Sequence, residues 1–97
     1  MKFFLKDEQK HKNPGATMRS AGYHPQTNRD GETSYVKSIR GAGFPRFHVY
    51  ANEMPSGWEI TLHLDQKKPT YEGFSAHSGD YDGAAVEKEL ERIKSFF

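Results

Sequence analysis

The chain has 97 residues, 34% of them hydrophobic, and a mean hydropathy of −0.92, which bounds it to one small domain with a compact core and leaves no apolar run long enough for a membrane span. It has no cysteine, so disulfides and thiolate metal sites are excluded. A net charge of +1 points to no particular partner by itself.

Seven Phe, five Tyr and one Trp must supply much of the core, because each buries a large area. Met1-Lys2-Phe3-Phe4-Leu5 begins like a signal peptide, but Lys6, Asp7 and Glu8 end the apolar run far short of the required length. The expectation is a soluble, cytoplasmic protein with no membrane contact. Residues 6–32 are polar and interrupted by Pro14, Gly15, Gly22, Pro25 and Gly31, with no sustained period. Residues 1–32 are therefore expected to be a mobile, irregular, basic N-terminal arm, and residues 33–97 the single folded domain.

Asn28-Arg29-Asp30-Gly31 is a turn signal that opens a strand over Thr33–Arg40. Its alternation is imperfect, so either one face is partly covered or a bulge shifts the phase. Arg46–Ala51 is the second strand, and Gly57–Asp65 is the third. In the third, Trp58, Ile60, Leu62 and Leu64 alternate with Glu59, Thr61, His63 and Asp65. A hairpin that pairs Ala51 with Trp58 puts Phe47, Val49, Ile60 and Leu62 on one face and sets Arg46 opposite His63. A slip by two residues keeps the faces and changes the partners.

Residues 66–82 form a long connection containing Pro69, Gly73 and Gly79. A helix follows from about Gly83 to Phe97, with Asp82 as its N-cap and Val86, Leu90, Ile93 and Phe97 as one apolar stripe. Glu87, Lys88, Glu89, Glu91, Arg92 and Lys94 are assigned to its solvent face. The expected fold is α+β: a three-stranded antiparallel β-meander packed against one C-terminal helix.

Three constellations could carry chemistry. The polar sheet face brings His48 and His63 together as diagonal neighbours, with Asp65 beyond them and His77 and Asp80 in the following loop. Two or three imidazoles and a carboxylate suit zinc or a similar divalent ion. The plain alternative is a solvated outer face, since no tight His-x-His spacing is present. Ser78-Gly79-Asp80-Tyr81-Asp82-Gly83 with Glu89 mimics a calcium loop, but Ser78 stands where an Asp belongs, and helix capping explains the acids more simply. Arg40, Arg46, Lys67 and Lys68, interleaved with Tyr50 and Tyr71, could hold single-stranded nucleic acid by stacking and phosphate contacts; against this stand the near-zero net charge and the lack of an RNP-type or Gly-x-x-Gly signature, and ordinary surface charge is the plainer account. Ser75 and Ser78 flank His77 without a nucleophile elbow. No catalytic residue and no cofactor is assigned.

The runs His63-Leu64-Asp65-Gln66-Lys67-Lys68-Pro69-Thr70-Tyr71 and Ala76-His77-Ser78-Gly79-Asp80-Tyr81-Asp82-Gly83, together with Phe44-Pro45-Arg46-Phe47-His48, resemble a family of small uncharacterised bacterial proteins, a domain of unknown function. The resemblance covers about residues 34–94. It implies a compact bacterial domain and transfers no catalytic residue.

Taken together, the residues describe a non-enzymatic binding module that uses the outer sheet face and the 66–82 loop. His48, Tyr50, His63, Asp65, Lys67, Lys68, Tyr71 and His77 are the candidate binding residues. Its partner is expected to be single-stranded nucleic acid, another anion or a protein. The alternative is a metal-dependent enzyme with weak candidate ligands His48, His63, Asp65 and His77.

Overall fold

The computed structural model describes residues 1–27, 31–39, 44–66, 79–80 (backbone) and 83–97. In chain order the elements are β1 (Lys2–Lys6), α1 (Pro14–Ser20), β2 (His24–Thr27), β3 (Thr33–Ser38), β4 (Arg46–Met54), β5 (Gly57–Asp65), β6 (Gly79–Asp80) and α2 (Ala84–Lys94). The sheet is antiparallel throughout, in the order β1-β5-β4-β3-β2, and the two-residue β6 also pairs with β5. None of the described helices is long and apolar enough to cross a membrane.

This corrects the expected three-stranded meander with one helix. The central hairpin and C-terminal helix are there, but a strand is added on each side and a second helix is present. The mobile N-terminal arm is likewise overturned. Lys2–Lys6 pairs with β5, setting Phe3 against Ile60 and Leu5 against Trp58. Five residues of alternation suffice for an edge strand, because Phe3 faces the core while Lys2, Phe4 and Lys6 stay exposed.

Pro14 and Gly22, which read as breakers, are helix punctuation. Asn13 caps α1 by accepting from the Ala16 amide at 3.1 Å, and Pro14 opens the first turn, where its missing N–H costs nothing. Gly22, at φ 96°, ends it. The Tyr23 amide donates to the Met18 carbonyl and the Gly22 amide to the Arg19 carbonyl, which is a Schellman closure. The chain then turns into β2, which covers β3. The strand expected over Thr33–Arg40 is thus an interior strand rather than an open edge.

The hairpin of β4 and β5 is tighter than expected. Its loop is the two residues Pro55 and Ser56, and Ala51 pairs with Ile60, Val49 with Leu62 and Phe47 with Leu64. Asn52, Glu53 and Met54 extend the strand instead of forming a connection. The register differs by two residues, so the apolar face survives and every polar partner changes.

One core lies between the sheet and both helices. Val49, Ile60, Leu62, Ile93 and Met18 are fully shielded, and Tyr23, Val86 and Leu90 nearly so. Each such aliphatic side chain contributes roughly 1.5–3 kcal/mol by leaving water. The predicted stripe of the last helix is borne out by Val86, Leu90 and Ile93, with Phe97 packed against the same cluster. Two details differ. The N-cap position is Gly83, without a side-chain cap, and Asp82 lies outside the described residues. Glu89, assigned to solvent, is 7% exposed. Its carboxylate accepts from the Tyr23 hydroxyl at 2.6 Å and from Arg92 Nε and a second Arg92 nitrogen at 2.8 and 2.9 Å. Arg92 also donates to the Ala21 carbonyl at 2.8 Å, so one carboxylate and one guanidinium tie α2 to the end of α1.

Candidate functional site

The face of the sheet away from the helices carries the polar residues. Arg46, His48 and Tyr50 of β4 stand opposite Asp65, His63 and Thr61 of β5. The expected diagonal relation of the two histidines is replaced by direct opposition, with ring centroids 5.0 Å apart. The tighter turn causes this, and it delivers Asp65 to the level of Arg46.

Asp65 is the centre. One carboxylate oxygen, Oδ1, lies 2.8 Å from His63 Nε2; the other, Oδ2, lies 3.1 Å from His48 Nδ1 and 3.2 Å from Arg46 Nε. Burial opposes its ionisation, but hydrogen bonds from His48, His63 and Arg46 outweigh that and hold the carboxyl well below the usual carboxylate range. An ionised carboxylate only accepts, so the two histidine nitrogens that face it are the ones carrying protons.

Behind His48 the chain of hydrogen bonds continues. Its Nε2 is 2.8 Å from the Ser34 hydroxyl, and that hydroxyl also lies 3.4 Å from the Gln26 carbonyl. Ser34 is fully buried, and its hydroxyl can donate to a bare Nε2 or accept from a protonated one while turning toward Gln26. Tyr50 stacks on His48 at 4.5 Å and 25°, walling the ring on one side.

Ser34, His48 and Asp65 have the connectivity of a hydrolytic triad, with hydroxyl on Nε2 and carboxylate on Nδ1. Complete burial keeps the Ser34 oxygen from a substrate carbonyl, so the serine orients the imidazole. The stronger chemical grouping is the other one. One ligand atom each from His48, His63 and Asp65 fall within 4.8 Å of one another, a two-histidine, one-carboxylate set open to a divalent ion. The nitrogens that now face Asp65 would have to be bare to bind such an ion, each ring keeping its proton on the other nitrogen. His48 would then carry its proton on Nε2, and Ser34 is placed to accept it.

Of the residues singled out from the sequence, His48, Tyr50, His63 and Asp65 come together. Lys67, Lys68, Tyr71 and His77 lie outside the described residues, as do Arg40, Ser75 and, in the calcium-like loop, Ser78, Tyr81 and Asp82. Among the four cations of the nucleic-acid reading, Arg46 is the one described, and it is turned toward Asp65 and Gln26. Sequence reasoning missed Ser34 and Gln26. Ser34 shares a strand face with Val36, and fixing the register between β3 and β4 would have placed it diagonal to His48. Gln26 sits on β2, which was not expected as a strand. Comparison with protein-family models, curated proteins and solved structures finds no match to this chain.

Proposed function

We propose that the chain is a small metal-binding module whose outer sheet face takes one divalent transition-metal ion, zinc first among them, through His48, His63 and Asp65. The observation that supports this is the convergence of the three ligand atoms within 4.8 Å on two rigid, paired strands. Borderline nitrogen ligands with one carboxylate suit zinc, and among the described residues a fourth position is left for water or another small ligand. The reading keeps the chain a binding module and takes its ligand, a metal ion, from the metal-dependent alternative. A metal-dependent enzyme would use the same three residues, with His77 as the further candidate named from the sequence.

The test is a zinc titration followed on the histidine ring resonances and by calorimetry. One ion per chain is expected, with the His48 and His63 signals shifting together and affinity falling in His63→Ala and Asp65→Asn by more than the roughly 10–100-fold that loss of an outer partner of a ligand costs. Unmoved His48 and His63 resonances at stoichiometric zinc would remove the proposal.

A further inference from the structure

Arg46 is the feature of this site that a simple metal centre does not explain. Its Nε lies 3.2 Å from the same Asp65 oxygen that His48 approaches at 3.1 Å, so the guanidinium borders the position of the ion. It is held from two further sides. The Phe44 ring lies under the guanidinium carbon at 4.6 Å, and Gln26 Oε1 accepts from it at 3.4 Å. Arg46 and Asp65 are also the members that reach solvent: their side chains are 22% and 20% exposed, against 7% and 11% for His48 and His63.

Charge then decides what completes the site. Among the described residues, two neutral imidazoles contribute nothing, Asp65 contributes −1, the ion +2 and Arg46 +1, which leaves +2 in a half-buried cluster. A cluster of that kind is costly unless an anion offsets it. A pinned guanidinium is suited to that task, because its planar fork matches an oxyanion.

Resting on the metal-binding reading above, we infer that the open coordination position takes an oxyanion of the carboxylate or phosphate class, bridged between the metal ion and the Arg46 guanidinium. Metal and anion therefore bind cooperatively, each raising the affinity of the other by the same factor.

The test measures zinc affinity of the full chain in a weakly coordinating buffer, alone and with submillimolar inorganic phosphate or acetate. At least one anion raises the affinity about tenfold, within the ordinary range of such coupling. In Arg46→Met the ratio of affinities with and without anion, taken within the variant so that any change in zinc affinity itself cancels, falls below about 2. Arg46→Lys keeps the charge without the fork and gives an intermediate ratio. The first comparison needs no variant, so a poorly folding one does not shield the idea. If zinc binds and neither anion changes its affinity, or if Arg46→Met keeps the full anion effect, the bridging role is wrong and the metal site stands. If zinc does not bind, both readings fall together.

Discussion

His48 and His63 face each other directly across β4 and β5, and Asp65 gives one carboxylate oxygen to each. Strand geometry makes this a stiff arrangement, because direct cross-strand neighbours sit at a spacing set by the backbone ladder. The two rings are therefore placed by the sheet itself, and Ser34 and Tyr50 fix how the His48 ring is turned.

Replacing Ser34 by Ala tests that support. The substitution leaves a buried imidazole nitrogen without its hydroxyl, which costs about 1–3 kcal/mol. Urea denaturation is expected to show a lower midpoint at an unchanged slope. In the same variant, zinc affinity falls about 10–100-fold, as for loss of any group that orients a metal-bound histidine. A native midpoint together with native affinity would show that Ser34 merely fills space.

Gly57 controls the docking of β1. A Cβ at this position would overlap the Leu5 carbonyl oxygen and stand 2.8 Å from the Asp7 amide, both of them backbone. Gly57→Ala forces β1 away from β5 at a cost of about 1–3 kcal/mol, the usual range for an overpacked contact. The same shift breaks the bond from the Trp58 indole N–H to Asp7, now 3.1 Å. Trp58 is the one tryptophan of the chain, so its emission moving to longer wavelength reports the event directly. Unchanged emission and unchanged stability would count against the packing of β1.

The contrast between β5 and β1 shows what the sequence makes legible. Nine residues of alternation in β5 announce both its faces, and the apolar stripe of α2 announces the surface that covers one of them. Lys2–Lys6 offers only five, beside a polar stretch whose Pro14 and Gly22 are ambiguous until a helix is seen between them. Register is harder still. Faces are conserved under a two-residue slip, so the core was readable from Phe47, Val49, Ile60 and Leu62 while the pairing of His48 with His63 was not. The candidate site depends on that pairing. Glu89 was hidden for a related reason, since its burial depends on Tyr23 and Arg92, one of them 66 positions away.

Removal of residues 1–6 follows from the place of β1. The deletion strips Phe3 from the core and leaves the outer edge of β5 unpaired from Gly57 to Thr61. An uncovered central strand is a template for pairing with another chain. The truncated protein is expected to lose stability and to self-associate, read by thermal denaturation and light scattering. A monomer with native stability would restore the picture of a dispensable arm.

The Glu89 carboxylate supplies the pH dependence. Burial opposes its ionisation, but bonds from Arg92 and Tyr23 outweigh burial and depress its pKa in the folded chain. A depressed pKa means that the stability it contributes is fully present above the unfolded value of about 4.3. That contribution is lost as pH falls through the lower folded value. Glu89→Gln removes it at every pH. The Arg92 side chain is 37% exposed, so water screens part of the pair, and the neutral-pH loss is expected to be about 1–2 kcal/mol. The stability gap between native chain and variant is therefore constant from pH 7 to about 5 and closes progressively below about 4.3. Urea denaturation across that range measures it, and a gap that widens on acidification would show that Glu89 is protonated in the fold.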